Sequence, residues 1–177
     1  MVQAPGAFWA WSVARYDLPG VAPRLLDLQD TFGLEVGPLL FGIWLADTGR
    51  SLGDDVDAAV ATLRVAAASA WHWQQGVVKP LRAARRAVKA LAVRTGPEPA
   101  LYARFKALEL EAEREAHTRF EMASVSLPRP ASLARSDVRL QAARHLEATV
   151  RWMGVQWTPL IAAMTEPLLD AILPSAD

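Results

Sequence analysis

The sequence predicts an all-α protein, folded as a single-domain bundle of about six to seven helices. Two observations support this class: Ala, Leu, Arg and Glu dominate the chain, and its apolar residues recur at intervals of three and four. No run of alternating polar and apolar residues, the pattern of a half-buried strand, stands out. With 177 residues the chain is long enough to bury the core of one domain.

The composition narrows the classes of function. Hydrophobic residues make up 52% of the chain and charged residues only 21%, which argues against intrinsic disorder. Lys+Arg and Asp+Glu both number 19, so the basic excess of a typical nucleic-acid-binding protein is missing and we expect no nucleic-acid partner. The absence of Cys removes disulfides, thiolate metal sites and thiol catalysis, and is compatible with the predicted cytoplasmic location.

Three helices are predicted in the first part of the chain. The first, over residues 6–16, ends at the turn-forming sequence DLPGV, and Pro19 suits the first turn of the second helix, 19–32, which ends at Gly33. The third, 36–47, is apolar on all sides, which is typical of a helix at the centre of a bundle. Its most apolar part, VGPLLFGIWLA, has eleven residues. A membrane span needs about 20 residues, so we expect none.

The middle of the chain predicts three more helices. Asp54 or Asp55 is expected to cap the fourth, which extends to residue 75. Gly76 and Pro80 predict a break or kink before the fifth, 78–94. The turn TGPEP then leads into the sixth, 98–122, and because the turn is short these last two helices should pack antiparallel.

The last part of the chain begins with SLPRPASLARSD, residues 126–137, which has the composition of a linker. A seventh helix, 137–152, follows, and then a stretch from Trp157 to Leu173 in which two prolines limit regularity. We therefore predict a bundle core, 1–125, and a linker with a C-terminal helical extension, 126–177. The apolar face of that last stretch is expected to pack on the chain's own bundle or, as the sharper alternative, on a partner protein or a second copy.

The fifth helix carries a stripe of cations. Arg82, Arg85, Arg86 and Lys89 fall within about 100° of each other on a helical wheel. By itself the stripe is typical of a solvated face. The alternatives are that it binds an anion or that it pairs with carboxylates of the same chain.

Two carboxylates on the sixth helix favour internal pairing. Glu109 and Glu113 are four residues apart at the edge of that helix's apolar stripe, where like charges repel unless cations face them. We expect at least one of Arg82, Arg85 and Arg86 to reach Glu109 or Glu113, with forked hydrogen bonds.

A polar residue also interrupts the buried face of the second helix. Gln29 falls on the same side as Leu25 and Phe32, and a buried amide needs partners, so we expect it to be largely buried and hydrogen-bonded. Its neighbour Asp30 lies at the other edge. The candidate polar cluster therefore consists of Gln29, Asp30, Arg82, Arg85, Arg86, Lys89, Glu109 and Glu113.

The sequence motifs offer little chemistry. None of His72, His117 and His145 has a Glu three residues before it, as a di-iron bundle requires, and Glu113 with His117 is only a weak i,i+4 pair. We see neither a Gly-rich phosphate loop nor a G-x-S-x-G elbow. We therefore expect no metal site and no cofactor, and we assign no catalytic residue.

Four blocks, in order, carry a family resemblance: FWAWSVARYDLPGV, LLDLQDTFGLEVGPLLFGIWLA, VVKPLRAARRAVKAL and KALELEAERE. Over about residues 6–120 the chain resembles a family of uncharacterised bacterial proteins catalogued as a domain of unknown function. The resemblance implies a small, helical, cytoplasmic protein of proteobacterial type. It implies no catalytic residues, and the segment after about residue 125 lies outside it.

Three functions remain open, in this order. The first is a non-catalytic interaction or scaffold protein, which the missing catalytic motifs and the apolar C-terminal stretch favour. The second is a binder of a small amphipathic anion in a pocket between helices, lined by Arg, Lys and Trp. The third is an enzyme that uses the Arg/Glu/Gln cluster.

Overall fold

The computed structural model describes residues 6–95, 99–129 and 135–173, and in these ranges the regular structure is entirely helical. The α-helices are α1 (Ala7–Tyr16), α2 (Val21–Phe32), α3 (Val36–Asp47), α4 (Val56–Ala66), α5 (Ala68–Trp73), α6 (Lys79–Thr95), α7 (Pro99–Ser124), α8 (Arg135–Trp152) and α9 (Pro159–Ile172). A π-helical turn, Gln74–Val78, joins α5 to α6 without a break.

The all-α class is confirmed, but the number of helices was underestimated. If α5, the π turn and α6 are counted as one continuous helix, the described residues form eight helices, where six to seven were expected. The additional helix is α9, which is regular although it contains two prolines. Pro159 occupies its first turn, where the missing N–H is not needed, and the ring of Pro167 lies on the exposed face.

A break or kink was predicted at Gly76 and Pro80, and the structure shows no break there. The chain passes through this segment as the π turn, and Pro80 becomes the second residue of α6. Proline cannot donate a backbone hydrogen bond to the preceding turn, and a wider turn accommodates that loss without ending the helix. The interruption lies instead at Ala67, whose φ of −99° and ψ of 12° separate α4 from α5.

Helix α3 lies at the centre of the bundle, as its uniformly apolar sequence predicts. Residues 38–46 are all buried. α3 packs on α8, α1 and α7, and the largest buried side chains include Trp44, Phe41 and Phe8. The approach of α3 to α8 is close enough to require glycine, because a Cβ on Gly42 would lie 2.8 Å from Oγ1 of Thr149.

The C-terminal part of the chain packs on this same bundle. α8 lies against α3 and α4, and α9 lies against α2 and α8. Ile161, Leu168 and Ile172 are buried in one hydrophobic cluster with Leu25 and Phe41 of the N-terminal part. Most of the apolar face between Trp157 and Leu173 is therefore covered by the chain itself, whereas Leu160 is 58% exposed.

Helices α6 and α7 form the antiparallel pair expected from the short turn, and α6 packs chiefly on α7 and the π turn. This hairpin, together with α1 and α2, encloses the polar residues described next.

Candidate functional site

A cavity of about 420 Å³ lies between α1, α2, the N-terminal end of α3, the π turn, α6 and α7. One part of its wall is apolar and includes Trp9, Val13, Leu26, Val36, Leu40 and Leu110. The other part is polar and includes Ser12, Tyr16, Gln29, Gln74, Arg82, Arg85, Arg86, Glu109, Glu113 and His117. A mixed wall of this kind is typical of a pocket for a small molecule with one apolar end.

Arg82 is the centre of the polar wall. Its Nη1 lies 2.7 Å from Glu35, its Nε 3.1 Å from Glu109 and its Nη2 2.8 Å from Glu113. Burial by itself lowers the pKa of Arg82, but the three carboxylates, Glu35 first among them, outweigh that effect and hold the pKa above the usual arginine range. All three guanidinium nitrogens thus bond to carboxylates of this chain.

Arg85 also uses its guanidinium nitrogens on side chains of this chain, Glu109 and Tyr102. Its Nε donates to Oε2 of Glu109, its Nη2 lies 3.4 Å from Oε1 of the same carboxylate, and its Nη1 lies 3.3 Å from the hydroxyl of Tyr102. The hydrogen bonds to Glu109 raise the pKa of Arg85. The pairing expected from the helical wheel is thus present for both arginines, and Glu109, which is 6% exposed, has partners for both of its oxygens.

The other residues of the predicted cluster lie at the rim or outside it. Nη2 of Arg86 bonds to Asp30 at 3.1 Å and to Oε1 of Gln29 at 3.3 Å, and both members of the ion pair are exposed. Lys89 is exposed on α6 and forms no ion pair within the described ranges. Gln29 meets the expectation in part: it is half-buried and its Oε1 accepts from Arg86, but its Nε2 is buried without a partner.

Two members of the network were not predicted. Glu35 is 5% exposed and immediately precedes α3, and Gln74 is 2% exposed in the π turn. Nε2 of Gln74 donates to Oε2 of Glu35 at 3.0 Å, which holds that carboxylate toward Arg82. A signal for Gln74 exists, since it continues the three-and-four spacing of the buried residues in α4 and α5. Glu35 has no comparable signal.

Glu113 is the carboxylate of the network that combines a free oxygen with a place on the cavity wall. Oε1 of Glu35 also accepts no hydrogen bond from the described residues, but Glu35 does not line the cavity. In Glu113, Oε1 accepts from Arg82, while Oε2 accepts no hydrogen bond from the described residues. Its side chain is 30% exposed and lines the cavity. Burial raises the pKa of Glu113, although the hydrogen bond from Arg82 opposes this.

His117, one helical turn beyond Glu113, is neutral. Burial lowers its pKa to about 4, and Nδ1 donates to the backbone carbonyl of Glu113 at 2.8 Å. Nε2 is therefore an unprotonated acceptor. The ring stacks on Phe8 with centroids 4.5 Å apart and meets the edge of Trp9 at 5.1 Å.

Two further polar atoms of the cavity wall have no partner. Oγ of Ser12, a residue only 4% exposed, and Nε2 of Gln29 are both buried and unbonded. Buried polar atoms are almost always hydrogen-bonded, so these two are exceptions, but neither has accessible surface through which a molecule in the cavity could reach it.

Two kinds of feature, a metal-binding cluster and a membrane-spanning helix, are missing from the described residues. No group of three or more His, Cys, Asp or Glu side chains in this part of the chain is arranged to hold a metal ion. None of its helices is both long enough and apolar enough to cross a membrane.

A protein-family model matches residues 7–120 of the chain, and its description is Protein of unknown function (DUF2390). The chain belongs to this family. The matched segment contains every residue that lines the cavity, whereas α8 and α9 lie outside it. No curated protein and no solved structure matches the chain. The DUF2390 family thus covers the candidate site without assigning it a function.

Proposed function

We propose that this DUF2390 protein binds a small amphipathic molecule in the cavity between α1, α2, α6 and α7. The observation that carries the proposal is a mixed polar and apolar cavity of about 420 Å³ whose wall includes Glu113, with one oxygen that accepts no hydrogen bond from the described residues. The volume lies within the range of about 300–1,000 Å³ that small-molecule sites occupy.

An interaction or scaffold role has less support. That role drew on the apolar face between Trp157 and Leu173 as a surface for a partner. Ile161, Leu168 and Ile172 of this stretch are buried against α2 and α8 of the same chain, so they offer no open surface for docking.

The charged side chains of the cavity wall limit which ligand charges the cavity can accept. Arg82 and Arg85 direct all their guanidinium nitrogens to Glu35, Glu109, Glu113 and Tyr102, so carboxylates of this chain already compensate their positive charge. Arg86 and Lys106 remain at the exposed rim. We therefore give up the predicted anion at Arg82 and keep the amphipathic character of the ligand.

Native mass spectrometry of freshly purified protein tests the proposal. We expect the wild-type protein to retain a small molecule. Val13, 42% exposed, lines the cavity, whereas Val65, 82% exposed, lies on α4 away from it. Val13→Trp should therefore plug the cavity and lose the bound mass, while the matched control Val65→Trp keeps it. A wild-type spectrum with only the polypeptide mass, or equal retention by the two variants, would overturn the proposal.

A further inference from the structure

The charges around the cavity do not balance, and the imbalance concerns Glu113. The ion-pair network contains two guanidinium groups, Arg82 and Arg85, but three carboxylates, Glu35, Glu109 and Glu113. Glu35 and Glu109 are almost fully buried and face the arginines, so Glu113, with one free oxygen at the cavity, carries the surplus negative charge.

Among the described residues that line the cavity, no other cation balances Glu113. Arg114 lies over the ring of Trp9, 5.1 Å from its centroid, but does not itself line the cavity. Arg86 is paired with Asp30 at the rim. The exposed Asp17 and Lys106 offset each other in sign. His117 contributes no charge, because burial lowers its pKa to about 4. The polar wall of the cavity therefore has room for one cation.

The remaining wall suits a cation as well. Trp9 and Tyr16 line the cavity, and aromatic rings attract cations, as Arg114 over the ring of Trp9 illustrates. Nε2 of His117 is an acceptor, and an ammonium group is a donor at every hydrogen. An anion would meet the free carboxylate oxygen of Glu113 instead, and like charges at close range repel strongly where water is excluded.

We propose that the ligand of this cavity carries a basic nitrogen, an ammonium or amidinium group, that pairs with the free oxygen of Glu113 while its apolar part lies against Trp9 and Leu40. This inference rests on the proposed function, since it names the chemical class of the molecule that the cavity binds.

Three probes of similar size and different charge test the inference. Isothermal titration calorimetry near neutral pH would compare 2-phenylethylamine, 2-phenylethanol and 3-phenylpropanoate on the wild-type protein. We expect the amine to bind about tenfold tighter than the alcohol, which corresponds to about 1.4 kcal/mol, and the carboxylate to bind most weakly.

The variants compared are Glu113→Gln and the control Glu115→Gln. Glu115 lies on the same helix but pairs with Arg119 outside the cavity. The preference for the amine should disappear in Glu113→Gln and persist in Glu115→Gln. If Glu113→Gln does not fold, the wild-type protein gives the same information, because amine binding must weaken as the pH falls through the raised pKa of Glu113.

The outcomes separate this inference from the proposed function. Equal affinity for amine and alcohol, tighter binding of the carboxylate, or no binding of any probe would overturn the inference. So would a retained native molecule that lacks a basic nitrogen, and in that case the proposed function stands. A wild-type protein that retains no molecule and binds no probe refutes both.

Discussion

Two histidines, His117 and His145, are buried to a similar degree, yet they lie in different kinds of polar surroundings. Burial lowers the pKa of each to about 4, so both are neutral near pH 7. His145 lies in the tight contact between α3 and α8, where both ring nitrogens have partners. Nδ1 donates to the carbonyl of Gly42 at 3.1 Å, and Nε2 accepts from the N–H of Leu52 at 3.1 Å.

His117 has only one of these two bonds. Nδ1 donates to the carbonyl of Glu113, and Nε2 lies at the cavity. The same cavity is lined by Glu113, whose Oε2 accepts no hydrogen bond from the described residues, and by Ser12 and Gln29, each of which has a buried polar atom without a partner. A buried polar residue whose hydrogen bonds are complete, such as His145, thus stabilises the fold. A partly exposed polar residue that lines a cavity with an unbonded atom, such as Glu113, is, in our account, available to a ligand.

The largest expected effect comes from Arg82, which holds the ion-pair network together. Arg82→Met would leave Glu35 buried without a counter-charge and Glu109 with Arg85 alone. Removing one partner of a buried ion pair costs about 3–5 kcal/mol. The control Lys89→Met alters an exposed cation without an ion pair and should change the free energy of unfolding by less than about 0.5 kcal/mol. Urea denaturation measures both, and equal losses would show that the network does not stabilise the fold.

The second effect is a loss of stability in acid, and it concerns both histidines. The unfolded chain protonates histidine with a pKa of about 6.5, whereas the folded pKa is about 4. Between these values the unfolded state binds more protons, so stability is present above about pH 6.5 and is lost as the pH falls toward 4. From about pH 7 to pH 5 the loss should be about 2 kcal/mol per histidine.

His145→Gln isolates one of these contributions, and the exposed His72→Gln is the control. Chemical denaturation across this pH range measures how the free energy of unfolding changes with pH. In His145→Gln the part of this change that comes from the histidines should be about half of the wild-type value. In His72→Gln it should equal the wild-type value. A wild-type slope retained in His145→Gln would mean that this histidine is charged in the fold.

A smaller effect is expected where α3 approaches α8. A Cβ on Gly42 would lie 2.8 Å from Oγ1 of Thr149 and 3.3 Å from the carbonyl of His145. Gly42→Ala should therefore cost about 1–3 kcal/mol. Gly76, in the π turn, has open space at the corresponding position, so Gly76→Ala should be neutral or slightly stabilising. Thermal unfolding of the two variants compares them directly, and a stable Gly42→Ala would contradict the tight packing around His145.

Part of this architecture was predictable from the sequence. The all-α class, the central α3 and the antiparallel pair of α6 and α7 follow from apolar spacing and from one short turn. The pairing of Arg82 and Arg85 with Glu109 follows as well, because two helices joined by a short turn have few ways to face each other. The contact of Arg86 with Asp30 lies within the same set of predicted residues.

The cavity and Glu35 were not predictable in this way. Glu35 is 47 positions from Arg82, and their contact depends on how α3 packs against the π turn and α6. The unbonded state of Ser12 and the volume of the cavity depend on the distances between four separate helices, which residue spacing within each helix does not determine. The excess of carboxylates over arginines in the network includes Glu35, so it was not predictable either.

We infer that two carboxylates of one network have different roles: Glu109 stabilises the fold, and Glu113 pairs with a ligand in the cavity. The free energies of unfolding of Glu109→Gln and Glu113→Gln, measured side by side in urea, test it most directly. Both oxygens of Glu109 are bonded to arginines, so its loss should cost about 3 kcal/mol or more. Glu113 carries the surplus charge and has one free oxygen, so its loss should cost less than about 1 kcal/mol. Equal losses of about 3 kcal/mol would show that Glu113 is as structural as Glu109 and would contradict the account.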